Sequence, residues 1–224
     1  RVWASLLYQK GLRYALRVLD NKSARFASAR ESAPLADLQQ VLLTEFGKDD
    51  VSPLFWAAMC WASHINVNLD DMEAIAGLAR AEAVMDRAMA LDETYFNGGP
   101  HLFKGMTAGT RPVMLGGKPE VSKAHFDRVF EITGGTFMLA HVLFAKSYAV
   151  QVQDRAAFVD SLRRVAQAPI DVDPQGILFT VVAKEQARRL LLQVDELFLD
   201  AGDGTPAATP TGGADEDDSL DELF

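Results

Sequence analysis

Apolar positions recur at steps of three and four along most of the chain, and no convincing stretch of period-two alternation interrupts them. The pattern predicts a succession of about nine helices separated by Gly, Pro and short polar residues. The first covers residues 2–29, with a possible break at 20–22, and places Leu6, Leu7, Gly11, Tyr14, Ala15 and Val18 on one stripe. The second covers 34–46, with Pro34 near its first position and Gly47 stopping it. Ser52 as N-cap and Pro53 open a third, to about residue 67. A fourth runs from Asp70-Asp71 to 91 with Gly77 as a weak point. The fifth follows Gly98-Gly99-Pro100 and stops before Arg111-Pro112. The sixth spans 118–133, where Gly134-Gly135 breaks it, and the seventh spans 136–152. Asp154 caps an eighth that ends at Ala168, and the ninth extends over 173–198.

Two of these helices differ from the rest in polarity. No charged residue lies between Pro53 and Leu69, and Lys146 is the one charge between Thr136 and Gln153. Helices apolar on nearly every side belong at the centre of a bundle. At this length they are too short to cross a bilayer. The segment from Ala81 to Asp92 resembles the second helix of a tetratricopeptide repeat, with Ala81 and Ala88 as the small residues at spacing seven. Glu93 stands where the repeat usually closes with proline. A weaker echo at His125–Ile132 lies 41 residues on, longer than the usual period. The fold expected is all-α: a bundle of stacked helix hairpins, with degenerate tetratricopeptide-like repeats or an irregular bundle both open. Residues 1–200 are read as one all-α domain and 201–224 as a separate tail.

Charge sharpens that division. The chain of 224 residues has a formal net charge of −9, and residues 201–224 hold seven acids with no Lys or Arg, so the body is near −2. That balance argues against wrapping nucleic acid, which needs clustered cations. An acidic segment preceded by Gly, Pro, Thr and Ala reads as disordered, or as a short docking element built on Leu220, Leu223 and Phe224. The single cysteine, Cys60, has no internal disulfide partner and reads as a buried, inert thiol. The first residue is Arg1, so any signal peptide or lipid-bearing segment would lie upstream.

Candidate chemistry is sparse. The four histidines lack partners at helical metal-site spacing, and no HExxH, CxxC, phosphate-cradling glycine loop or nucleophile elbow occurs. The reading is therefore non-catalytic, with no metal and no cofactor. Three segments at helix boundaries could line a cleft: Asn97–His101, Thr110–Gly117 and Gln151–Arg155. The candidates for ligand binding are Trp56, Asn97, His101, Arg111, His141, Tyr148, Gln153, Asp154 and Arg155. Plainer roles stand beside these. Asn97 and Asp154 can be caps, and Arg111 and Arg155 can cover helix carbonyls. His141 shares a face with Phe137, Phe144 and Tyr148 and can be a hydrogen-bonded core residue, while Trp56 and Trp61 can be core aromatics.

Several short runs carry a family resemblance in order along the chain. They are Gly11-Leu12-Arg13-Tyr14-Ala15-Leu16-Arg17, Phe55-Trp56-Ala57-Ala58 and Asn97-Gly98…His101. Arg111-Pro112…Leu115-Gly116-Gly117, His125-Phe126 and Gln153-Asp154-Arg155…Phe158 follow. Over roughly residues 5–200 the chain resembles the T-component of tripartite ATP-independent periplasmic (TRAP) transporters. The resemblance implies an all-helical, tetratricopeptide-like, periplasmic lipoprotein that reaches the membrane through an upstream lipid anchor. It also implies a homotrimer that associates with the transporter's solute-binding protein and passes a small organic or hydrophobic ligand through a groove. The alternative is a helical-repeat scaffold for a peptide or assembly partner, without a small-molecule ligand.

Overall fold

The computed structural model describes residues 2–110, 114 and 116–198; Arg111 and the acidic segment 201–224 lie outside them. The described residues form helices and connecting turns, with no strand among them. They divide into two compact units, residues 1–103 and 104–224.

In the first unit, the long N-terminal helix breaks where a short polar side chain can compete with the helix ladder. Ser23 Oγ accepts a hydrogen bond from Phe26 N–H at 2.9 Å, separating α1 (Val2–Lys22) from α2 (Ala24–Ser32). Pro34 occupies the N-cap of α3 (Leu35–Glu45) rather than its first helical position. The expected Ser52 cap is replaced by a 3-10 turn, Lys48–Asp50, from which α4 (Val51–Val67) continues. Asp50 is the reason: its Oδ2 accepts from Gly47 N–H at 2.7 Å and pairs with Lys22. Pro53 then lies in the first turn of α4, where no N–H is needed for the ladder. Asp71 caps α5 (Met72–Ala76) by accepting from Glu73 and Ala74 N–H. Gly77 separates α5 from α6 (Leu78–Leu91). A Cβ at Gly77 would come within 2.6 Å of Trp61 Nε1, so close packing selects glycine there. The helix α7 (Tyr95–Gly109) begins in this unit and ends in the next.

The apolar helix α4 packs against both α1 and α6. Ala81 and Ala88 are fully buried and let α6 come close. Gly11 does the same for α1, since a Cβ there would meet Cys60 Sγ at 2.8 Å. Cys60 is half-buried, and desolvation raises the pKa of its thiol. Leu19, Phe26, Leu38, Leu54, Phe55 and Met85 fill the core. The apolar stripe read along the first helix divides in two. Ala15 is buried, whereas Leu6, Leu7, Tyr14 and Val18 are between 50 and 65% exposed. The helix carries apolar residues on two edges, and the edge with small residues is the one that fits against α4.

The second unit comprises the end of α7, α8 (Pro119–Thr133), α9 (Met138–Phe144), α10 (Arg155–Gln167), α11 (Ile177–Leu191) and α12 (Val194–Leu197). Left-handed Gly134 ends α8, and Gly135 N–H returns to Phe130 O at 2.9 Å. A π turn, Ala145–Ala149, extends α9. The ninth predicted helix starts later than expected, at Ile177, because Asp173 Oδ1 holds Gln175 N–H in a turn. The α9 segment packs on α8, α10 and α11 around Val142, Phe158, Leu162 and Val165. No helix among the described residues is long and apolar enough to cross a membrane.

Candidate functional site

Trp56, Asn97 and His101 lie in the first unit, around an unusual start to α7. Phe96, Asn97 and Gly98 are all left-handed, with φ of 51°, 58° and 73°. That conformation costs about 1–2 kcal/mol for each residue with a Cβ. Aromatic packing offsets it. Phe96 lies 5.1 Å from Trp56 and 5.7 Å from Phe55, ring centre to ring centre, and Tyr95 meets Phe55 edge-on at 5.2 Å. Gly99 closes the bend against Phe55, where a Cβ would come within 2.6 Å of the ring. Trp56 is 39% exposed at the rim of this cluster, and Asn97 is exposed at the bend itself.

His101 is drawn down by the same bend. Its Nε2 lies 2.9 Å from Glu93 Oε2. The two line an open depression of about 540 Å³ together with Met89, Leu91 and Asp92. Asp92 Oδ1 accepts from Thr94 N–H and hydroxyl, which fixes the turn that presents Glu93. Trp56 and Asn97 do not line this depression.

His141, Tyr148, Gln153, Asp154 and Arg155 lie in the second unit. Phe130, His141, Phe144 and Tyr148 form a run of rings. His141 stacks on Phe130 at 4.5 Å, Phe144 meets Phe130 edge-on at 5.8 Å, and Tyr148 stacks on Phe144 at 5.0 Å. His141 is buried, and its Nε2 lies 3.0 Å from Gly135 O, so this nitrogen carries the proton that is donated. Gln153 is left-handed at φ 57° and donates from Nε2 to Val150 O and Leu197 O. Asp154 accepts from Ala157 N–H as the N-cap of α10, and Arg155 pairs with Asp195 at 2.6 Å. Gln153 and Asp154 close helix ends, while Arg155 is tied up in an exposed ion pair.

Two open depressions thus bring in residues outside the ligand-binding candidates. Glu93 and Met89 accompany His101 in the first. Arg163, Arg164 and Asp160 lie with Gly135 and Met138 around the second, of about 560 Å³. The one available signal was Glu93, at the position where the repeat pattern expects proline. Nothing in the periodicity distinguishes Arg163 and Arg164 from solvated cations. Among the described residues, no group of three or more His, Cys, Asp or Glu is placed to hold a metal.

The environment of His141 has a pH consequence. Burial is the chief cause that lowers its pKa below the ordinary value of 6.5; the positive charge of Arg164 adds to it, and the hydrogen bond to Gly135 opposes it. The unfolded chain therefore binds the proton more readily than the folded one. The contribution to stability is complete above about pH 6.5 and is lost as pH falls through that value toward the lower folded pKa. Urea melts at about pH 7.5 and about pH 5 should show a decline in stability for this protein. His141→Phe should show a shallower one, and equal declines would refute the assignment.

Comparison with known proteins places this geometry in context. A protein of Treponema pallidum (strain Nichols), described as uncharacterized, is 23% identical over 197 residues, which is 88% of this chain and 61% of the relative. The chain thus spans about three fifths of that relative's length. The family model described as TRAP transporter T-component matches residues 1–198, which takes in every helix described above. The chain therefore belongs to the TRAP transporter T-component family.

Proposed function

We propose that this protein is a non-catalytic periplasmic accessory component of a TRAP transport system. In this reading it binds the system's solute-binding protein, assembles as a homotrimer, and is held at a membrane by a lipid-bearing segment upstream of Arg1. The observation that carries the reading is the family match over residues 1–198. A small organic or hydrophobic ligand would be held near the candidate residues. The depression at His101 supports this, since it combines the apolar surface of Met89 and Leu91 with a convergent His–carboxylate pair. A second reading, a scaffold without a small-molecule ligand, draws on the openness of both depressions and the capping roles of Gln153 and Asp154.

Light-scattering mass after size exclusion tests the assembly. The expected result is about three chains alone, as the family resemblance implies, and a larger mass on mixing with the solute-binding protein of the same system. A monomer that ignores that partner would overturn the trimer and the association together.

A further inference from the structure

The exposed face of α1 combines two features that the fold of its unit does not use. Trp3, Leu7, Tyr14 and Val18 form one apolar strip along the helix, each at least 50% exposed, and Leu6 and Val2 extend it at the N-terminal end. Beside that strip, at helical spacing, run Lys10, Arg13 and Arg17, all exposed. None of the three makes an ion pair with a described residue; Arg17 lies over the Tyr14 ring at 5.5 Å. The opposite face, with Gly11, Leu12, Ala15 and Leu19, is seated on α4. Asp20 is the one acid in the helix, and Arg30 holds it in a bidentate pair at 2.9 Å. The helix is thus net cationic in a chain of net charge −9.

We propose that this face of α1 lies on the surface of an anionic lipid bilayer. Seated there, Trp3, Leu7, Tyr14 and Val18 would enter the boundary between headgroups and acyl chains while Lys10, Arg13 and Arg17 meet lipid phosphates. Three features favour lipid over a protein partner. The apolar side chains are spread along the 21-residue helix instead of gathered into one central patch. Cations run beside them over the stretch from Lys10 to Arg17. The aromatic members are Trp and Tyr, whose apolar rings carry a polar tip suited to the interface. The inference is independent of the partner and ligand reading above, because it needs neither a solute-binding protein nor a groove.

The test is co-sedimentation of the 224-residue chain with vesicles of phosphatidylglycerol and phosphatidylcholine in equal parts, and with vesicles of phosphatidylcholine alone. Binding is expected to the anionic vesicles and to weaken as salt is raised. The triple variant Lys10→Gln, Arg13→Gln, Arg17→Gln should lower the partition coefficient by about tenfold or more. Leu7→Glu and Trp3→Ala alter exposed side chains, so the fold should persist by circular dichroism while binding drops. Absence of binding to anionic vesicles would overturn the proposal. So would binding that survives Leu7→Glu with Trp3→Ala, since charge alone would then account for it. Self-association abolished by Leu7→Glu, without vesicle binding, would assign the face to a second copy and equally overturn it.

Discussion

Phe55→Ala is expected to lower the stability of the first unit by about 3–5 kcal/mol. Phe55 is 1% exposed and touches three other aromatic rings, those of Trp56, Tyr95 and Phe96. Gly99 has no side chain with which to fill the space left behind, and its backbone is already flush with the ring. The left-handed run at Phe96–Gly98 would also lose the packing that offsets its conformational cost, so the effect should lie at the upper end of the range. With a urea dependence of about 1–3 kcal/mol/M, the midpoint should fall by at least about 1 M. A fall of less than a third of that would mean that the bend is held by some other contact.

Phe126→Ala should have a comparable effect on the second unit, again about 3–5 kcal/mol. Phe126 is fully buried, with Phe144 edge-on at 5.6 Å. A Cβ at Gly105 would lie 3.0 Å from its ring, so the end of α7 rests on that ring through bare backbone. A void there would be bounded by glycine and by Ser122, whose hydroxyl donates to Gly105 O at 2.7 Å and ties the helices at their present spacing. Neither can move in to fill it. Removing Phe126 also frees one side of Phe144, and with it the ring run that orders His141 and Tyr148. Near-ultraviolet circular dichroism should weaken along with the chemical-denaturation midpoint. Retention of both would show that α8 repacks.

Much of the helix order was legible because the punctuation is chemical. Asp71 and Asp154 cap as short acidic side chains do, Gly134 ends a helix in the left-handed region, and Gly77 marks a close approach. The central place of the uncharged helix was legible from polarity alone. Two kinds of information were not. Periodicity identifies apolar edges without saying which one meets a neighbour, so on α1 the stripe at Leu6, Leu7, Tyr14 and Val18 faces solvent. The left-handed start of α7 was hidden as well, because Phe96 and Asn97 are held there by rings from α4, a tertiary cause. The candidate site suffered from the same gap. Helix-boundary position pointed to His101, which the structure places at a depression, yet could not reveal Glu93 as its partner or Arg163 and Arg164 beside Gly135. Gln153, Asp154 and Arg155 show why caps and ligands look alike in sequence: each is a polar side chain at a helix end, and here the backbone and Asp195 claim them.

The π turn bears on how relatives of this chain should be aligned. Val150 N–H reaches Ala145 O across five residues where an α-helix would use four, so the segment holds one more residue than its span requires. In an unbroken α-helix an extra residue would turn everything after it by about 100° around the axis, whereas the π turn absorbs it locally. Relatives lacking one residue between 145 and 149 should keep the same helix endpoints with a regular ladder, so a single-residue gap there is structurally silent. An alignment that distributes that gap elsewhere would set core positions of one chain against surface positions of the other. The segment Ala145–Ala149 is accordingly where insertions and deletions in this helix should be placed first.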